Sequence, residues 1–398
     1  MQDQFPKTLT FTAYRGRRGL NAVADEWSVF QDALPNLRFI HCVEWVRSYL
    51  DSLVERDDDI VIVVARRNAQ IVAIFPLREA VVAGPAGLRV RALELLTHDH
   101  MILADFVLSD EEAESGAFTA LLAWLNVQRE IAWDVLMLDR IAQSASTVRA
   151  IDAAAPPLLA KAFLCKSSYV PCAPTVDETF ARVSGNFKRN LKRLARRAEE
   201  SAPIEFDCVR ESERLPDALQ RFFEVEAAGW RGEQGTANAI KFDPKAMRFY
   251  ERLVAEFGRD GRCVINLLKH GEQDVAAQFA LVSGKVLNIF VIGFSQAHSS
   301  FAPGNLLMER TIRHFCEQGF TAVSFVSDPT WGHLWKPNSE DVFTFRIFRP
   351  GLKGRLLYWA LLAKRKRDEW RARKNQEEPA AERSAEADDA EREAAKTA

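Results

Sequence analysis

Apolar and polar positions alternate most clearly between residues 275 and 326. Residues 275–282 and 286–294 form two apolar runs separated only by Ser283-Gly284-Lys285, a pattern that predicts a β-hairpin. Small and polar residues from Ser299 to Asn305 then lead into Leu306, Leu307, Met308, Thr311, Ile312 and Phe315, which share one helical face, and Gly319 is placed to close that helix. A further strand is predicted over 322–326. This order sets a helix N-terminus beside an open sheet. The first turn of such a helix carries unpaired N–H groups and the positive end of the macrodipole, and Gly304 lets an anion approach the backbone, so a pyrophosphate fits there. An ordinary helix start after a hairpin loop fits the same pattern, since proline is common at that place.

The rest of the chain predicts two copies of one layout. In the first half a helix over 41–53 precedes strands over 60–65 and 71–77, joined by a turn at Arg67-Asn68-Ala69, then a helix over 118–128 and a strand over 133–138. In the second half helices over 215–230 and 244–257 precede a strand over 263–268 and the hairpin. Two tandem mixed α/β domains are expected, related by an old duplication, over 1–160 and 161–350. The linker falls in 153–174, which holds Pro156, Pro157, Pro171 and Pro174 and has room for a crossing strand. Residues 351–374 read as a basic amphipathic helix. It carries Leu356, Leu357, Tyr358, Trp359, Leu361 and Leu362 ahead of Lys364-Arg365-Lys366-Arg367. Such a helix either docks on its own core or meets an anionic membrane surface through Leu356 to Lys374. Residues 375–398 are almost all Ala, Glu, Asp, Arg and Lys and are expected to be disordered.

Composition narrows the function classes. A chain of 398 residues with 47% apolar content can build two cores, and a net charge of -2 argues against general nucleic-acid affinity. The six cysteines are scattered without Cys-x-x-Cys spacing and read as free thiols. No Gly-x-Ser-x-Gly, His-Glu-x-x-His or P-loop string occurs, which speaks against hydrolase, metalloprotease and P-loop chemistry. His98 and His100 flank Asp99 but lack a third ligand nearby, so no metal site is assigned. The start of the chain has no signal-peptide pattern and no run is long enough to span a membrane, so a cytoplasmic protein is expected, with peripheral contact at the inner membrane face as the further option.

Lys188, Arg189, Lys192, Arg193, Arg196 and Arg197 put two basic rows on one predicted helix. Together with Phe187-Lys188-Arg189-Asn190-Leu191, Trp230, the 302–307 segment Ala-Pro-Gly-Asn-Leu-Leu and Trp335-Lys336, the order of motifs resembles the CelD/BcsL-like acyltransferases of the GNAT superfamily. The resemblance covers roughly residues 25–350. It implies a fold of two tandem GNAT-like α/β domains and an acyl-CoA co-substrate held by Pro303, Gly304, Asn305, Leu306 and Phe294. The strand over 286–294 would supply backbone N–H groups to the oxyanion.

Acyl transfer from a thioester also needs a base and an acid. The candidates are Asp328, His333 and Lys336 after the last strand, and Glu224 and Glu226 before Trp230, although each also suits a turn or a solvated helix face. Arg189, Arg193, Trp230 and Trp335 are the candidate acceptor-binding residues. The first half, acidic before Phe118, is expected to be a substrate-side or a structural partner, with the acceptor in the cleft between the halves. The leading function is acetylation of an amino sugar or another envelope or exopolysaccharide precursor. Long-chain N-acylation of a lipid amine of sphingoid type and a non-catalytic scaffold are the alternatives. The related Fem-type aminoacyl transferases share the two-domain layout, but the near-neutral charge and lack of a coiled-coil arm argue against a transfer-RNA donor.

Overall fold

The computed structural model describes residues 9–232 and 235–371. The expected disordered tail over 375–398 and the last three residues of the predicted basic helix lie outside the described residues.

In the first half β1 (Thr10–Arg15), α1 (Gly16–Asp32), α2 (Val43–Ser52), β2 (Ile60–Arg67), β3 (Gln70–Ala83), β4 (Arg89–Leu95), β5 (Val107–Leu108), α3 (Asp110–Glu114), α4 (Ala117–Val127), β6 (Val135–Ala142) and α5 (Ser146–Ala154) follow one another. The second half runs β7 (Leu159–Pro171), α6 (Val176–Ala181), α7 (Gly185–Glu199), β8 (Ile204–Val209), α8 (Leu215–Ala227), α9 (Pro244–Phe257), β9 (Cys263–His270), β10 (Gln273–Ser283), β11 (Val286–Phe294), α10 (Pro303–Glu317), β12 (Ala322–Ser324) and β13 (Asn338–Phe348). A last helix, α11, covers residues 352–371. The fold is mixed α/β, and the series β1-α1-α2-β2-β3-β4, helix, β6 of the first half recurs in the second as β8-α8-α9-β9-β10-β11-α10-β12, the repeat that the apolar pattern predicts.

The two half-sheets are one sheet, ordered β1-β2-β3-β4-β6-β13-β7-β12-β11-β10-β9-β8, with β5 on β3. Its seam is β13, which pairs antiparallel with β6 on one side and with β7 on the other. The linker is thus filled by a crossing strand. β7 shows no clear period because it leaves Phe163 and Leu164 exposed while burying only Ala160, Ser167, Ser168 and Val170. Strand β2 is buried on both faces, so its sequence is a near-continuous apolar run.

The halves also share a core. α2 meets α9 through Trp45 and Phe249, edge to face at 5.4 Å, and Trp45, Phe39 and Phe290 pack together, with Phe39 and Phe290 centroids 4.9 Å apart. Polar ties reinforce the contact. Arg47 donates to Glu256 at 3.0 Å, Arg262 to Glu44 at 2.9 Å, and the Phe39 N–H to Ser283 Oγ at 2.9 Å. On the other face of the sheet α7 and α10 lie over a second core built around Trp335, Phe315 and Leu307. The six cysteines are free; Cys42, Cys263 and Cys316 are buried and the other three half-buried.

Candidate active site

β11 organises the site. It pairs parallel with β12 only from Val286 to Asn288, after which β12 ends and the chain turns off at Val326, a non-glycine residue with φ of 59°. Beyond Asn288 one edge of β11 therefore has no strand beside it. The Ser295 N–H goes to Val275 O on β10, so strand alternation sends the N–H groups of Phe294 and Ile292 to the open edge. A β-bulge against β10 makes Phe290 the extra residue between Ile289 and Val291, a device that re-aims a side chain near active sites.

Between this open edge, the start of α10 and the 325–331 loop lies a cavity of about 390 Å³, lined by Trp230, Arg231, Ile289, Phe290, Ile292, Phe294, Gly304, Asn305, Phe325 and Trp331, among others. No side chain caps α10; its N-cap is Ala302, left-handed at φ 52°, followed by Pro303. The N–H groups of Asn305 and Leu306 turn back to Ala302 O. Gly304 has little room for a side chain, because a Cβ there would lie 3.3 Å from the Phe294 ring. The arrangement offers an anion the positive end of a 15-residue helix beside an apolar slot.

A second cavity of about 410 Å³ lies where the halves meet. Asp99, His100 and Ile102 enter it from the first half, and Arg231, Asn238, Asp243, Tyr250 and Val291 from the second. Phe290 and Arg231 line both cavities. Burial holds His98 and His100 below the ordinary histidine pKa, so both are neutral near neutral pH. The two rings stack at 5.6 Å, and His100 Nδ1 lies 3.4 Å from the Tyr250 hydroxyl.

Glu226 lines neither cavity itself but contacts Arg231, which lines both. Its side chain is fully buried, Oε2 accepts the Ile240 N–H at 3.0 Å, and Oε1 lies 3.5 Å from Arg231 with no hydrogen-bond partner. Burial pushes its carboxyl above the ordinary glutamate range, and the Ile240 N–H and Arg231 only partly oppose this. A carboxylate held in this way is a stronger base than a free glutamate.

The other sequence-predicted residues fall in different places. Gly304, Asn305 and Phe294 are brought together at the first cavity, with Trp230, which is half exposed under the Arg231 guanidinium at 5.0 Å, whereas Pro303 is buried at the helix start and does not line the cavity. Leu306 is buried in the α7–α10 core. Asp328 accepts from the Ser168 hydroxyl and lies 3.1 Å from His333 Nε2, but this pair sits against β7 and lines neither cavity. Lys336 is exposed at the end of a short 3₁₀ turn, with φ of 51°. Trp335 is fully buried, edge-on to Phe187 at 5.1 Å and Phe180 at 6.2 Å. Arg189 and Arg193 project from α7, and Arg189 lines a separate groove with Lys192, Arg310 and Arg313. Glu224 faces outward and pairs with Lys241 at 2.9 Å. Arg231, His100, Tyr250 and Phe290 carry no motif. The nearest signals in the sequence are Trp230, next to Arg231, and the His98-Asp99-His100 string.

Residues 185–332 match the family model described as an acetyltransferase (GNAT) domain. Over that stretch, a little over a third of the chain, it is similar to GNAT-type acetyltransferase domains, which supports acyltransferase activity. No curated protein matches the chain. Two solved structures share the fold across both halves. One is FemX, at 12% identity and TM-score 0.55, covering 84% of this chain and 97% of its own. The other is L-PGS from Bacillus licheniformis, at 12% identity and TM-score 0.50, covering 85% and 96%. Among the described residues no group of three His, Cys, Asp or Glu side chains is arranged to hold a metal, and no helix is long and apolar enough to cross a membrane.

Proposed function

We propose that this protein transfers an acyl group from acyl-CoA to an amine on an envelope or exopolysaccharide precursor, with an amino sugar as the leading acceptor. One observation carries the reading: a cavity at an uncapped helix start and a second cavity between the halves share Phe290 and Arg231, and Arg231 contacts the buried Glu226. In this scheme the first turn of α10 binds the donor's pyrophosphate and the open edge of β11 takes the pantetheine arm. The Phe294 or Ile292 N–H polarises the thioester carbonyl. The amine enters past Asp99, His100 and Asn238 and loses its proton to Glu226. Its nitrogen bonds to the carbonyl carbon while the C–S bond breaks, and water at the open mouth of the donor cavity protonates the thiolate, the hydroxide so formed taking up the proton that Glu226 then releases. The products are an amide and free CoA.

The reading favours a short acyl group, because Phe290, which lines both cavities, is pinned by Phe39 and Trp45. FemX, whose name is tied here to fold alone, gives no argument for a transfer-RNA donor. A long-chain transfer to a lipid amine is the second reading, supported by the aromatic lining around Phe294 and by the basic helix α11. Thermal stabilisation by an acyl-CoA ladder from acetyl to palmitoyl separates the two. A shift that fades with chain length supports the first, a preference for long chains supports the second, and no shift with any member supports a non-catalytic scaffold.

A further inference from the structure

Helix α11 carries two apolar stripes. The inner one is used for folding: Leu357 is buried and Tyr358 and Leu361 half-buried against Val90, Ala92, Val135 and Phe348. Lys353 pairs with Asp134 at 2.6 Å and Arg365 donates to Lys161 O at 3.0 Å, which fixes the helix along the sheet. The outer stripe is Leu352, Leu356 and Trp359, at i, i+4 and i+7, and these are 82%, 71% and 64% exposed. Exposed Arg355, Lys364, Lys366 and Arg367 flank it. Single exposed apolar residues are ordinary, but three large ones on one stripe of a helix are not. Over 352–371 seven Lys and Arg residues stand against two acidic ones, in a chain whose net charge is -2.

We infer that the outer face of α11 docks on an anionic lipid surface. The stripe is the right width to sit at the boundary between headgroups and acyl chains, and the flanking cations lie where they meet lipid phosphates. Charge complementarity selects this occupant over a second copy of the chain, since pairing two such stripes would bring two sets of cations together. The helix lies in the plane of the surface and does not cross it. This inference is independent of the acyl-transfer reading, because no residue of α11 lines either cavity of the site. If both hold, the acceptor is presented at the membrane surface.

The test is co-sedimentation of the full chain with phosphatidylcholine vesicles, with and without phosphatidylglycerol, at low and high salt. The expected result is binding at least about tenfold stronger to the anionic vesicles and weakened by salt. Leu352→Ser/Leu356→Ser/Trp359→Ser together should cut it by about tenfold or more while thermal stability stays unchanged. Lys364→Glu/Lys366→Glu should erase the preference for anionic lipid. Failure of the wild type to bind, or equal binding by the triple serine variant, overturns the inference. So does a concentration-dependent dimer that the triple variant abolishes without any vesicle binding.

Discussion

Gly293 on β11 and Glu226 on α8 are in backbone contact: a Cβ on Gly293 would lie 2.6 Å from Glu226 Cα. A second glycine, Gly229, would likewise bring its Cβ to 2.8 Å from Phe294 O, and the Gln296 N–H donates to Ala228 O at 3.1 Å. The end of α8 is thus pressed onto the strand that edges the donor cavity, which places a buried carboxylate against Arg231, a residue that lines both cavities.

Gly293→Ala tests that contact. Its φ is not in the left-handed region, so the effect is steric: the helix must move and the protein should lose about 1–3 kcal/mol of stability. The rate should fall further than stability alone explains, measured as kcat at a temperature where both forms are fully folded.

Glu226→Gln separates charge from shape. Loss of the base should lower kcat by about 10²–10⁴-fold with acyl-CoA affinity retained. In the wild type, the rate should rise through a pKa above the ordinary glutamate value of about 4.3. Because folding raises this pKa, the stability that Glu226 contributes is present in acid and lost as pH rises through the folded value. The glutamine variant should therefore melt no lower than wild type near neutral pH, and the two should converge in acid.

Asn305→Asp puts a negative charge in the first turn of α10. It should stabilise the helix start by about 0.3–1 kcal/mol while weakening CoA binding, because the same dipole serves both. Calorimetry with CoA and with dephosphorylated pantetheine distinguishes this from general damage: only the phosphate-bearing ligand should lose affinity.

Phe290→Ala would join the two cavities. A truncated buried phenylalanine costs about 3–5 kcal/mol, so the variant is best assayed at low temperature. The expected change is a shift of acyl-chain preference toward longer donors, read from rates along the acyl-CoA ladder.

Asp328→Asn and His333→Ala should change kcat by no more than a few-fold, since Asp328 is engaged by the Ser168 hydroxyl and by His333 against β7. A large loss in either would move the acid–base chemistry to the β12 side of the cleft.

The hairpin and α10 were legible because each carries its own period: the bounds of β11 and α9 coincide with the apolar runs read from the sequence. β13 was not, because its register slips near Phe343 against both β6 and β7, which breaks the period-2 pattern along the strand. The candidate site divides in the same way. Gly304, Asn305 and Glu226 stand beside local signals, a helix start and a Trp. His100, Tyr250 and Phe290 converge only because β13 joins the half-sheets and Trp45 packs on Phe249, and neither contact has a short-range trace in the sequence. Trp335 rests on the resemblance and Lys336 on the resemblance and its chemistry as an acid or base, and the local chain places one in the core and the other at the surface.

The most direct test of the account is thiol release from acetyl-CoA and longer acyl-CoAs in the presence of amino sugars and lipid amines, compared between wild type and Glu226→Gln. The account predicts amide formation matched one-for-one by free CoA in the wild type, and a glutamine variant that binds acyl-CoA but scarcely turns over. A wild type that binds no acyl-CoA, or a variant that turns over as fast as wild type, would contradict it.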